Sequence, residues 1–151
     1  MTETFTLRLA ERHEAGLVRD FTRTAYAAWV PLIGREPLPM TADYDAALRT
    51  NRVDLLYANG QLAGLIETVA DGDLLLVVNV AVRPDLEGRG LGRRLMAHAE
   101  TLAADAGLQG LRLYTNQRFE RNIRLYGALG YATDREEAGP RGVTVYMSKR
   151  F

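Results

Sequence analysis

With 151 residues, 47% apolar and 25% charged, the chain has the size and composition of one globular domain, which excludes disordered and membrane-spanning classes. Its 19 basic and 19 acidic residues cancel, leaving no global field for nucleic acid. Zero cysteines exclude disulfides, thiolate metal sites and a cysteine nucleophile; two histidines far apart, His13 and His98, read as structural, and no metal centre is expected.

Phe5, Leu7 and Leu9 alternate with polar residues and read as a first strand. From about Glu11 to Trp29, Leu17, Phe21, Ala25 and Ala28 keep a helical spacing, and Pro31 with Gly34 ends the run. Pro37 and Pro39 mark a loop before a second short helix through about Arg49. Val53 to Tyr57 and Leu62 to Val69, joined by Asn59-Gly60, form a hairpin signal. Leu74 to Val82 is nearly continuous in apolar residues, as expected of a central strand covered on both faces, and is interrupted by Asn79. That amide either marks a bulge or splay between strands or points outward.

A helix from about Gly90 to Ala106 should bury Leu91, Leu95, Ala99, Leu102 and Ala106, with Gly107 as its cap. Leu111, Leu113 and Thr115 form a strand, Glu120 to Leu129 a helix, and strands follow from Tyr131 and over Val143 to Met147. The order βααβββαβαββ describes one mixed α/β domain over residues 1–151.

Chemistry concentrates where the central strand meets the long helix. Glu87-Gly88-Arg89-Gly90-Leu91-Gly92 is a glycine-rich turn feeding a helix N-terminus, where backbone N–H groups and the positive end of the helix dipole converge on an anion. Arg93 and Arg94 in the first helical turn oppose that dipole by roughly 0.3–1 kcal/mol each, a conflict that a bound polyanion relieves. A P-loop would need Gly-Lys-Ser/Thr, and a dinucleotide turn G-x-G-x-x-G near the start of a βαβ unit; neither pattern is present.

The segment resembles the acyl-coenzyme A motif of the GNAT family of N-acetyltransferases, Q/R-x-x-G-x-G/A, with Glu87 where the family normally has Gln or Arg. A second stretch, Asn122-Ile123-Arg124-Leu125-Tyr126-Gly127-Ala128-Leu129-Gly130-Tyr131, is similar to the family signature N…LYxxxGF/Y, with Asn122 four residues before the tyrosine rather than seven. The resemblance spans residues 74 to 131. It implies an α+β domain with a mixed, mostly antiparallel sheet of about six to seven strands and about four flanking helices, and acetyl-CoA as co-substrate.

It also implies coenzyme contacts at Glu87, Gly88, Arg89, Gly90, Leu91, Gly92, Arg93, Asn122 and Tyr126, and backbone roles for Val80 and Val82. The Val80 N–H would polarise the thioester carbonyl, Val82 would pair with the pantetheine arm, and the Tyr126 hydroxyl would protonate the departing thiolate. By its stripe with Phe119, Ile123 and Leu129, Tyr126 equally reads as a core tyrosine.

The acceptor amine must lose a proton: an ammonium of pKa about 10.4 is neutral in roughly one molecule in 10³ at pH 7. Glu67, the lone acid within an apolar strand, is the candidate base, receiving the proton through water, or instead binds a cationic substrate, or else it faces solvent. Tyr26, Trp29 and Tyr44 either line an acceptor pocket or belong to the core. The expected activity is transfer of acetyl from acetyl-CoA to a primary amine of a small molecule, amino acid or peptide by direct attack in a ternary complex; the alternative is a non-catalytic acyl-CoA sensor. Without a signal segment or apolar span, a cytoplasmic enzyme free of nucleic acid and membrane is expected, with a homodimer left open.

Overall fold

The computed structural model describes residues 3–151. Strands β1 (Phe5–Leu9), β2 (Arg52–Ala58), β3 (Gln61–Asp71), β4 (Leu74–Val82), β5 (Gly110–Asn116), β6 (Ala132–Gly139) and β7 (Gly142–Arg150) form a 7-stranded sheet in the order β1-β2-β3-β4-β5-β7-β6. Every neighbouring pair is antiparallel except β4 and β5. That parallel pair needs a crossover, which α5 (Leu91–Asp105) supplies.

Helices α1 (Ala15–Tyr26), α2 (Val30–Ile33), α3 (Leu38–Thr41) and α4 (Tyr44–Thr50) lie between β1 and β2. On one face of the sheet Ala15, Val18, Ala25 and Tyr44 pack on Val53, Leu55, Leu65 and Ala81. On the other, Leu95, Met96 and Ala99 of α5 and Tyr126 of α6 (Glu120–Ala128) pack on Leu56, Ile66, Leu75 and Val77. Successive strand residues alternate between these two cores, and each fully buried aliphatic side chain contributes roughly 1.5–3 kcal/mol.

The hairpin turn has both central residues at positive φ, Asn59 at 52° and Gly60 at 81°, as the primed turn requires. The first helix differs from its expected extent. It is a 3-10 turn (Arg12–Glu14), α1, a second 3-10 turn (Ala27–Trp29) and α2, and it buries Ala15, Val18, Thr22 and Ala25 while Leu17 stays 41% exposed. Pro31 does not stop the run: it sits in the first turn of α2, where a missing N–H costs nothing, and Gly34 at φ 76° ends it. In α5, Met96 and Ala103 are buried in place of Leu102 and Ala106; Ala106 is the exposed C-cap.

His98 contributes to the fold. Asp54, buried beneath α5, receives both Arg52 nitrogens at 2.9 and 3.0 Å, and His98 Nε2 lies 3.3 Å from the same carboxylate. His13 is exposed beside Glu11. No helix among the described residues is long and apolar enough to cross a membrane.

What positions the site is a parting of strands. β4 pairs with β5 only over Leu75–Val77, while the rest of β5 follows β7. Opposite that point, Glu67 pairs with Asn79 but Thr68 with Val77, so Val78 is an extra residue that bends β4 away. The Arg83 N–H bonds the Ala63 carbonyl on β3; by the antiparallel alternation, Val80 and Val82 turn their backbone groups the other way, toward the gap.

Candidate active site

Two cavities open on this gap. The first, about 280 Å³, is bounded by Val80 and Val82, by Glu87, Gly88, Gly90, Leu91, Gly92 and Arg93 of the glycine turn, and by Trp29, Arg121, Asn122 and Tyr126. The second, about 210 Å³, lies toward the α2–α3 segment and the β6–β7 turn, and contains Glu67, Tyr44 and Asn79. Tyr26, Val80, Asn122 and Tyr126 border both. The two cavities are therefore continuous at these four residues.

The glycine turn is shaped for an anion. Gly88 and Gly90 adopt φ of 81° and 78°, and Gly90 caps α5 with no side chain on its first N–H groups. A Cβ at Gly92 would stand 3.2 Å from Leu125 Cδ2, so the third glycine serves the close packing of α5 on α6. The two arginines of the first turn separate: Arg94 lies over the Phe5 ring, 3.8 Å from its centroid, and Arg93 borders the cavity. Arg89 points away from both cavities, 3.5 Å from Glu3.

Glu87 has a local explanation. Its Oε2 accepts from Arg121 Nη1 of α6 at 2.9 Å, which brings a guanidinium to the cavity rim although an acid occupies the motif's first position. No short-range pattern joins residues 34 apart, so Arg121 escapes a reading of the sequence.

Tyr126 is 7% exposed, its ring edge-on to Tyr131 at 6.1 Å. Among the described residues no protein group hydrogen-bonds its hydroxyl, and burial alone pushes its pKa up to about 12, so the phenol carries its proton at neutral pH. Tyr26 is placed differently. Its hydroxyl proton is within reach of the Val80 carbonyl at 2.9 Å and Asn79 Oδ1 at 3.0 Å, tying the end of α1 to the bent strand. Asn79 faces inward: its amide nitrogen also reaches Thr22 Oγ1 at 3.3 Å and the Tyr44 hydroxyl at 3.4 Å.

Glu67 does not face solvent. It is 3% exposed, and its Oε2 accepts from Asn51 Nδ2 at 2.7 Å. Burial raises its pKa above the usual carboxyl range, and the Asn51 hydrogen bond opposes that shift. Trp29, in the 3-10 turn after α1, borders the first cavity rather than the second and lies edge-on to Phe119, ring centroids 4.6 Å apart.

A sequence model of the acetyltransferase (GNAT) family matches residues 17–131, most of the chain. The chain belongs to the GNAT family. It is an acyl-CoA-dependent N-acetyltransferase, with acetyl-CoA as co-substrate. Solved GNAT structures share the fold along nearly the whole chain. The ribosomal-protein-S18-alanine N-acetyltransferase of Escherichia coli superposes with a TM-score of 0.79 at 21% identity, covering 97% of this chain and 94% of that one. The PaiA N-acetyltransferase of Thermoplasma acidophilum, solved with coenzyme A, gives 0.81 at 15% identity over 98% and 99%. A spermidine N-acetyltransferase chimera from Vibrio cholerae and hSSAT gives 0.77 at 16% identity over 97% and 95%. In this acetyltransferase, the positive-φ glycines precede an α5 N-terminus that no side chain caps, and β4 parts from β5 beside it.

Proposed function

We propose that this acetyltransferase acetylates the primary amine of a small molecule, amino acid or peptide by direct attack within a ternary complex. The observation that carries the reading is the pair of cavities meeting at Val80 and Tyr126, with a buried carboxylate in one and an anion cradle at the mouth of the other. Acetyl-CoA supplies an activated acetyl group on a thiolate leaving group. Gly88, Gly90, Leu91, Gly92 and Arg93 hold its phosphates, with Arg121 at the rim; Val82 pairs with the pantetheine arm and Asn122 contacts it.

The Val80 N–H sits where negative charge develops on the carbonyl oxygen, and as a fixed backbone donor it stabilises that charge without reorganising. Tyr26, by bonding the Val80 carbonyl, fixes that peptide. Glu67 accepts the acceptor amine's proton, directly or through water, and Tyr126 donates its own to the departing sulfur.

Coenzyme recognition is tested by thermal unfolding with acetyl-CoA, coenzyme A or ATP. A ligand at about 100 times its Kd should stabilise the fold by roughly 2.7 kcal/mol. Both coenzyme forms should raise Tm and ATP should not. Equal stabilisation by ATP would mean a general polyphosphate site and would overturn the reading.

A further inference from the structure

The second cavity carries charge of both signs. Glu67 lies on β3, whereas Arg35, just beyond α2, and Arg141, in the turn between β6 and β7, border the same cavity from the far side of the sheet. β4 and β5 stand between β3 and β7 in the sheet, and their parting opens the cavity between Glu67 and the two arginines. Glu67 is the one carboxylate among the described residues lining this cavity.

Both arginines are exposed at the cavity rim, and their segments are tied together. Arg35 Nη2 donates to the Pro140 carbonyl at 2.5 Å, joining the α2–α3 segment to the turn. The Arg141 carbonyl accepts from Asn116 Nδ2 at 3.1 Å, which fixes the backbone from which that side chain projects. Elsewhere Arg83, Arg112 and Arg121 are each matched by a carboxylate. Among the described residues no carboxylate lies within ion-pair distance of Arg35 or Arg141. Two guanidinium groups so placed, with most of their five donors each uncommitted, present forked geometry suited to an oxyanion.

Resting on the acetyl-transfer reading, we propose that the acceptor is a small amine that also carries an oxyanion, a carboxylate or a phosphate, with its anion held between Arg35 and Arg141 and its amine directed at Glu67. The cavity, about 210 Å³, is below the roughly 300–1,000 Å³ of sites for drug-sized ligands, which suits a compact dipolar molecule or the end of a chain. Glu67 and the arginines would then read the two ends of one acceptor.

The test uses the full chain saturated with coenzyme A and a panel of free α- and ω-amino acids, each beside its own amide, together with phosphoethanolamine beside ethanolamine. Binding is followed by calorimetry, and acetyl transfer by thiol release with acetyl-CoA. At least one anionic amine should bind tenfold or more tightly than its neutral partner, and that margin should collapse in the Arg35→Gln/Arg141→Gln double variant, which still shows its coenzyme-dependent rise in Tm. A margin within the amino-acid pairs alone identifies a carboxylate, one within the phosphoethanolamine pair alone a phosphate. No margin in any pair, or one that survives the double substitution, overturns the proposal. An arginine-dependent margin without any thiol release keeps the anion site and removes the transfer reading instead.

Discussion

Replacing Tyr126 with phenylalanine should lower kcat by about 10²–10³-fold while leaving coenzyme A affinity unchanged, because a positioned proton donor contributes roughly 10²–10⁴ and the ring itself is retained. Tyr126 borders both cavities, its hydroxyl is bonded to no protein group among the described residues, and burial pushes its pKa up to about 12. A core tyrosine would make the opposite prediction. Burial normally demands a partner for a phenol, so the Phe variant of a purely structural tyrosine changes stability and leaves turnover alone. Steady-state kinetics with a saturating amine, run beside a coenzyme titration, separates the two: full turnover in Tyr126→Phe removes the residue from the proton transfer to sulfur.

The second large effect concerns Glu67, and here activity and stability should move in opposite directions. As the proton acceptor, Glu67 must be ionised, so wild-type kcat/KM should fall as pH drops through its raised pKa. In Glu67→Gln that acidic limb should disappear and kcat/KM at pH 8 should fall by about 10²-fold. The stability sign follows from the same burial. Below the ordinary carboxyl pKa the group is neutral in folded and unfolded chains alike; as pH rises through the higher folded value, charge must be held in a buried site and stability is lost. Glu67→Gln should therefore melt higher than wild type at neutral pH, with the difference vanishing in acid. The Asn51 hydrogen bond favours the ionised form and limits the gain. An unchanged acidic limb in Glu67→Gln would assign the base to another group.

Much of the architecture is legible because its causes are local. Asn59-Gly60 dictates a primed turn within two residues, and Gly88 and Gly90 mark left-handed backbone directly before a helix. Asn79, a polar break in an apolar strand, flags the place where β4 leaves β5, although only the fold shows that its amide faces inward to Thr22, Tyr26 and Tyr44. The phase of α1 is not legible. Leu17 and Phe21 carry more apolar area than Ala15 and Thr22, but the sheet surface selects the narrower stripe, a tertiary preference that outweighs the hydrophobic pattern.

The same holds for the charges around the site. Glu87 with Arg121, and Arg35 with Pro140, join positions 34 and 105 residues apart; the turn chemistry near each partner says nothing about the other. Arg89 sits inside the glycine motif yet turns to Glu3, because successive residues of a turn cannot all face one side. Motif membership thus locates the glycine turn, while the cavity proposed for the acceptor emerges only where the α2–α3 segment, β3 and the β6–β7 turn meet.

The central claim, acetyl transfer to an amine, is tested most directly by mixing the protein with acetyl-CoA and a panel of primary amines and following free thiol and acetylated product together. Amine-dependent release of thiol, matched by an equal amount of N-acetylated amine in the mass spectrum, is the predicted result. Tight coenzyme binding with no thiol released above the amine-free rate for any member of the panel would contradict it, and would leave a coenzyme-binding module in place of an enzyme.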